Sequence, residues 1–238
     1  MTASLVCLHG WCCEAWHFDP QVEYFSLRHR IVSIPWQARL KDHDDPINLE
    51  VAARDIETVC RDSELPGPLV LIGHSMGGML AAMMASAGRL DIAGIVVIDA
   101  TWPFDPKSSE FFRSFIPQLE TDFPGAVRKF FTQRLERPED DPAINARVVD
   151  GVVQSDPRVG LAVFRDLQTP NRLPLAEEVP VPILGISSSL QFLDRDNLLS
   201  HAKDAWYGQI AGSGHHLMLQ VPEQLNAMLE RFLSRLTG

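Results

Sequence analysis

The sequence has few cysteines, and none of the spacings that mark a metal site or a disulfide framework. Only four cysteines occur in 238 residues, and no two are spaced Cys-x-x-Cys; Cys12 and Cys13 are adjacent, while Cys7 and Cys60 stand alone. The eight histidines include no His-Glu-x-x-His pattern. We therefore expect reduced thiols, no metal site and no cofactor.

Long apolar runs and an excess of positive charge are also missing. No run approaches the ~18 residues that a membrane helix requires, and the amino terminus lacks the basic region of an export signal. The formal net charge of −10 disfavours nucleic acid and anionic membranes as partners. These absences predict a cytoplasmic protein without nucleic-acid or membrane partners that acts on a small-molecule substrate; they leave its oligomeric state open.

What the sequence does contain is an alternation of short apolar runs with helical segments. Six runs read as strands, at residues 5–8, 30–34, 69–72, 92–98, 181–186 and 205–210. Strands that alternate with helices predict an α/β fold, a doubly wound and mostly parallel sheet with right-handed crossovers.

The strand pattern stops between residues 103 and 176. This stretch holds eight of the twelve phenylalanines: Phe104, Phe111, Phe112, Phe115, Phe123, Phe130, Phe131 and Phe164. It predicts an inserted helical cap, with residues 1–102 and 177–238 forming the core domain. Most of these aromatic side chains are interpreted as packing the cap against the rim of the sheet.

The segment from Gly73 to Gly77 has the features of a nucleophile elbow. An apolar strand leads into the sequence Gly-His-Ser-Met-Gly, and a helix of small residues follows it. A serine on so sharp a turn requires residues without side chains two positions before and after it, where strand and helix pass closely. The turn predicts that Ser75 is exposed at a helix amino terminus, which favours negative charge nearby.

With this elbow, two other motifs stand in the same order along the chain as in the α/β-hydrolase superfamily. They are His9-Gly10-Trp11 near the start, and Gly212-Ser213-Gly214-His215 followed by Val221-Pro222-Glu223 near the end. The chain resembles that superfamily over nearly its whole length. The resemblance implies an α/β-hydrolase fold that lacks the two amino-terminal strands of the usual eight. The stretch 35–39 departs from the superfamily's common Asp-x-x-Gly-x-Gly loop.

A serine hydroxyl needs a base, and the base needs an orienting carboxylate. The resemblance implies that Ser75 is the nucleophile and His215 the base. Asp99, at the end of the fourth strand, matches the position of the acid in some subgroups. In many members of the superfamily the acid instead follows the next strand, here residues 181–186. Gln191 occupies that position and has no carboxylate, so Asp194 is the alternative acid.

The remaining site residues follow from the same comparison with the superfamily. Backbone N–H groups of Trp11 and Met76 are expected to form the oxyanion hole. Trp36 and Trp102 follow the carboxyl ends of strands, where open α/β sheets bind ligands, so we expect both in the substrate pocket. His9 is expected to hold the first loop.

Three functions remain open at this point. The first is a serine hydrolase that cleaves a small apolar or aromatic ester, thioester or lactone through an acyl-enzyme. The second is a cofactor-free dioxygenase, because Gly10-Trp11-Cys12 and Pro35-Trp36 are similar to the quinolone-cleaving subgroup of the superfamily, although Cys13 and Met76 replace histidines of that subgroup's pocket. The third is a ligand receptor that does not turn over.

Overall fold

A computed structural model describes residues 3–43, 46–102, 106–169 and 172–237. The strands are β1 (Ser4–Leu8), β2 (Ile31–Ile34), β3 (Leu69–His74), β4 (Ile92–Ile98), β5 (Ile183–Ser187) and β6 (Ala205–Gln209). These six strands form one parallel sheet in the order β2-β1-β3-β4-β5-β6. The prediction of a six-stranded parallel α/β fold is confirmed, with strand ends within two residues of those read from the sequence.

Eleven α-helices lie within the described residues. They are α1 (Asp19–Phe25), α2 (Trp36–Arg39), α3 (Leu49–Asp62), α4 (Met76–Ala87), α5 (Pro106–Thr121), α6 (Phe123–Phe130), α7 (Pro142–Val152), α8 (Pro157–Asp166), α9 (Arg195–His201), α10 (Leu217–Gln220) and α11 (Pro222–Thr237). The helix α3 shows how local sequence sets a boundary, because the side chain of Asn48 accepts a hydrogen bond from the backbone N–H of Val51, 2.9 Å away. None of these helices is long and apolar enough to cross a membrane.

The sheet separates two apolar cores because successive strand residues point to opposite faces. In β1, Leu5 and Cys7 lie in the core that also holds Phe232 of α11. Val6 and Leu8 face the other way, into the larger core that includes α3, α4 and the segment after β4. Parallel strands covered on both faces form continuous apolar runs, which is why the runs could be read from the sequence.

Four helices, α5 to α8, lie between β4 and β5, where the sequence predicts a cap. A π-helical turn, Phe131–Leu135, follows α6. The start of the predicted cap at residue 103 and the side chain of Phe104 lie outside the described residues, and the division into core and cap stays a prediction.

Candidate active site

The strand β3 and the helix α4 meet at Ser75 in the strained conformation expected of an elbow. Ser75 has φ of 53° and ψ of −121°, a region that side-chain-bearing residues rarely occupy. A Cβ atom at Gly73 would lie 2.2 Å from the carbonyl oxygen of Gly77, and one at Gly77 would lie 2.0 Å from the carbonyl oxygen of Leu8. Only glycine fits at either position, so the two glycines allow the turn that presents Ser75.

Asp99 and His215 come together across 116 residues of sequence. Asp99 follows β4 with φ of 46° and is fully buried, and His215 is 5 % exposed. The Nδ1–H of His215 donates to Oδ2 of Asp99 over 2.8 Å. Ser188, after β5, donates its backbone N–H to Oδ1 over 2.8 Å and its hydroxyl to Oδ2 over 2.7 Å. With both carboxylate oxygens accepting, Asp99 fixes the orientation of the imidazole through Nδ1.

The loop that carries His215 is held from two sides. The Nε2–H of His74 donates to the carbonyl oxygen of His215 over 2.9 Å. From the segment between β4 and β5, the carbonyl oxygen of Leu135 accepts the backbone N–H of His215 over 2.9 Å, and Asp140 accepts that of Gly214 over 2.8 Å. The predicted cap therefore contributes hydrogen bonds that position the imidazole.

The residues predicted to supply the oxyanion hole are Met76, next to Ser75 in the chain, and Trp11, in the first loop. Met76 begins α4, and Trp11 lies in the turn after β1. No residue in the described part of the chain accepts a hydrogen bond from either amide. Both residues line the same cavity as Ser75, and their role as an oxyanion hole stays a prediction.

Ser75 and His215 open on a cavity of about 410 Å³, a volume typical of small-molecule sites. Seven of its eighteen lining residues are tryptophan or phenylalanine, namely Trp11, Phe111, Phe112, Phe130, Phe131, Phe164 and Phe192. Five of the seven described phenylalanines between residues 103 and 176 therefore face the cavity, so rim packing alone, the interpretation favoured above, does not account for them. Gln191, with φ of 56°, also lines it.

The two tryptophans expected in the substrate pocket lie elsewhere, and this corrects the sequence analysis. Trp36 is fully buried, stacks on His9 at 5.5 Å between ring centroids and donates its Nε1–H to the carbonyl oxygen of His9. Trp102 is also fully buried and donates to the carbonyl oxygen of Pro174. Neither lines the cavity, because both indoles turn into the core, where each N–H has a partner.

Asp194, the alternative acid, is an N-cap. Its carboxylate accepts the backbone N–H of Asn197 over 2.9 Å at the start of α9. That role leaves Asp99 as the carboxylate bonded to His215.

Several buried histidines surround this site in their neutral form. Burial lowers the pKa of His9 to about 4, and burial together with the positive charges of His9 and Arg147 lowers the pKa of His17 to about 3. Burial also holds the pKa of His74 and of His216 well below the ordinary value. All four are neutral at pH 7.

Ser188 and Asp140 are the site residues that the sequence analysis missed. Ser188 had a weak signal, since it lies in the Ser-Ser-Ser run that follows β5 at the sheet edge where ligands bind. Asp140 had none, because it lies 74 residues from its partner Gly214 and no local pattern marks the contact.

Comparisons with known proteins agree with the fold. The model of the alpha/beta hydrolase family matches residues 5–228. A pimeloyl-[acyl-carrier protein] methyl ester esterase of Photorhabdus laumondii is 25% identical, over 98% of this chain and 92% of its own length. The MenH structure from S. aureus superimposes with a TM-score of 0.84 at 17% identity and covers 100% of this chain and 96% of its own. The enol-lactonase from Burkholderia xenovorans gives 0.83 at 16% identity, over 98% and 92%.

Proposed function

The chain belongs to the alpha/beta hydrolase family, and from that premise we propose that it is a serine hydrolase of small apolar or aromatic esters, thioesters or lactones. One observation carries the proposal: Ser75, in a strained elbow, and His215, bonded to Asp99, line the same cavity. The arrangement supplies a nucleophile, a base and an orienting carboxylate.

In the proposed reaction, the Ser75 hydroxyl attacks the carbonyl carbon of the substrate. His215 accepts the hydroxyl proton on Nε2, and Asp99 stabilises the imidazolium through Nδ1–H. The backbone N–H groups of Trp11 and Met76 stabilise the oxyanion. His215 then protonates the leaving group. In the second half of the reaction His215 accepts a proton from water, the water oxygen attacks the acyl carbon, and His215 returns the proton to the Ser75 oxygen as the acid is released.

The aromatic wall of the cavity supports an apolar or aromatic group beside the scissile bond. Aromatic side chains bury large areas and form edge-to-face contacts, and Trp11 and Phe164 already pack at 4.7 Å between ring centroids. The similarity to relatives that are named methyl ester esterases supports an ester over a peptide bond.

The competing dioxygenase function would use the same His215–Asp99 pair to deprotonate the substrate, with Ser75 as a binding group. The cavity presents Cys13 and Met76 where that subgroup has histidines, so the polar groups that would orient a quinolone are missing. The receptor function gains no support beyond the aromatic cavity.

The test compares three proteins aerobically, without added metal or cofactor, on short acyl esters and on a 3-hydroxy-4-quinolone. We expect the wild type to hydrolyse esters, Ser75→Ala to lose this activity, and the control Ser86→Ala, an exposed serine of α4, to keep it. Ser75→Ala with half the wild-type rate would remove Ser75 from the mechanism. Oxygen uptake with the quinolone and no ester hydrolysis would establish the dioxygenase instead, and saturable binding of an ester without product over hours would establish the receptor.

A further inference from the structure

Three side chains with metal-binding atoms meet in the wall behind the cavity. Cys13 lies in the loop after β1, His17 lies four residues later in the 3₁₀ helix Ala15–Phe18, and His216 is next to His215. Their donor atoms all lie within 4.8 Å of one another, and Sγ of Cys13 is 4.0 Å from Nε2 of His216. All three side chains are buried, with exposures of 6, 0 and 3 %.

His17 is the residue that requires an explanation. Neither of its ring nitrogens has a hydrogen-bond partner among the described residues. A neutral imidazole has one donor and one acceptor, and buried polar atoms without partners are rare in native proteins. The ring is bordered by other rings, at 4.3 Å from Trp16 and 5.6 Å from His216 between centroids, so its nitrogens are directed into the cluster or against apolar surface.

The size of the cluster fits a metal ion. The three donor atoms lie within 4.8 Å of one another. In the widest arrangement, an equilateral triangle with sides of 4.8 Å, the centre is about 2.8 Å from each atom, so an ion can lie at least that close to all three. Zinc bonds of about 2.3 Å to sulfur and 2.0–2.1 Å to nitrogen then require each donor to move toward that point by no more than about 0.5 Å for sulfur and about 0.8 Å for nitrogen. Side-chain rotation alone supplies such a shift.

We propose that Cys13, His17 and His216 bind a thiophilic transition-metal ion, Zn²⁺ or Cu⁺. One thiolate and two neutral imidazoles are donors that both ions prefer. On binding, the Cys13 thiol transfers its proton to solvent and its sulfur bonds to the metal; no electron is transferred. Cys13 also lines the cavity, from which water can supply the fourth ligand of Zn²⁺.

Such an ion joins the two loops on either side of Ser75. Cys13 lies two residues after Trp11, and His216 lies one residue after His215. The ion would therefore fix the distance between the first loop and the histidine loop. No local motif signals the site, because His216 lies 199 residues after His17, and it departs from the expectation of no metal.

The test measures metal binding directly and does not depend on the catalytic activity. The full chain is kept in a phosphine reductant, freed of metal by chelation and titrated with Co²⁺ as a spectroscopic probe. We expect one Co²⁺ per chain with a sulfur-to-cobalt charge-transfer band, and loss of that band when Zn²⁺ displaces Co²⁺. Cu⁺ binding is measured separately by competition with a chromogenic chelator.

Variants assign the ligands. Cys13→Ser should abolish the band, and Cys12→Ser, the adjacent buried cysteine outside the cluster, should keep it. His17→Gln should weaken Zn²⁺ binding by more than the roughly 10–100-fold that loss of an outer-shell partner costs. Circular dichroism of each protein is recorded first to verify folding. If Cys13→Ser does not fold, the Zn²⁺ affinity of His17→Gln tests the proposal instead. A wild type that binds neither Zn²⁺ nor Cu⁺, or a folded Cys13→Ser or His17→Gln that binds as the wild type does, would overturn the proposal.

Discussion

Replacing Asp99 by asparagine tests the proposed triad with almost no change of shape. The carboxylate accepts three hydrogen bonds, one at Oδ1 from the backbone of Ser188 and two at Oδ2 from the Ser188 hydroxyl and from His215. It is fully buried, so water cannot replace any of these partners.

An asparagine at this position must place its NH₂ group against a donor in either orientation. With NH₂ in place of Oδ2, it opposes Nδ1–H of His215 and favours the tautomer with hydrogen on Nε2, which cannot accept a proton from Ser75. With NH₂ in place of Oδ1, it opposes the backbone N–H of Ser188, which cannot rotate away. The first orientation is the less costly, because an imidazole can change its tautomer and a backbone amide cannot.

The expected loss in kcat is about 10⁴-fold, the effect of the equivalent change in a serine protease, or about 5 kcal/mol of activation free energy. The assay is steady-state hydrolysis of an activated ester, with circular dichroism to verify folding. Asp194→Asn is the matched control, since asparagine caps a helix as well as aspartate does, and it should retain wild-type kcat. An Asp99→Asn enzyme within tenfold of wild type would refute the assignment, and a severe loss only in Asp194→Asn would move the acid to that residue.

Three further predictions concern the surroundings of the site. Asp140→Ala should lower kcat about tenfold or more with little change in KM in steady-state kinetics, because it loosens the loop that carries His215. An unchanged kcat together with a lower unfolding temperature would contradict this positioning role. Burial lowers the pKa of His9 to about 4, below the value of about 6.5 for the unfolded chain. As pH falls between these values only the unfolded state gains the proton, so the wild type should lose up to about 3.5 kcal/mol of unfolding free energy that His9→Asn does not lose. Urea unfolding at pH 7, 6, 5 and 4 measures this, and parallel curves would be inconsistent with a buried neutral imidazole. Gly77→Ala should prevent folding or lower the unfolding free energy by more than about 4 kcal/mol, since its Cβ would lie 2.0 Å from a backbone oxygen of β1. The control Gly88→Ala, with φ of 62° and open space around it, should lower it by about 1 kcal/mol. Equal losses of stability in thermal unfolding would argue against the steric explanation.

The fold and the central pair of the site could be predicted because their signals are local. Buried parallel strands form continuous apolar runs, and their carboxyl ends meet at one edge of the sheet. That rule, with the resemblance to a family, was enough to propose Asp99 and His215 together, which the structure joins by a hydrogen bond of 2.8 Å.

The orientation of large side chains beyond a strand end is not local. Trp36 and Trp102 occupy the expected positions in sequence, but the carbonyl oxygens of His9 and Pro174 hold their indole N–H groups in the core. A sequence gives the edge of the sheet on which a residue lies, and it does not give the distant acceptor that turns the side chain inward.

The contributions of the segment between β4 and β5 were also beyond prediction. The contacts of Leu135 and Asp140 with the histidine loop depend on how helices pack over the sheet. The aromatic side chains of this segment were visible in the sequence, but which of them face the cavity depends on the same packing.

Covalent labelling of the native enzyme with a serine-directed phosphonate tests most directly that Ser75 is the nucleophile. The account predicts one adduct per chain, located on Ser75 by peptide mass spectrometry, and loss of ester hydrolysis in proportion to the labelled fraction. Ser75→Ala should take up no label under the same conditions. Full ester hydrolysis by a protein labelled at Ser75, or inactivation through a different residue, would contradict it.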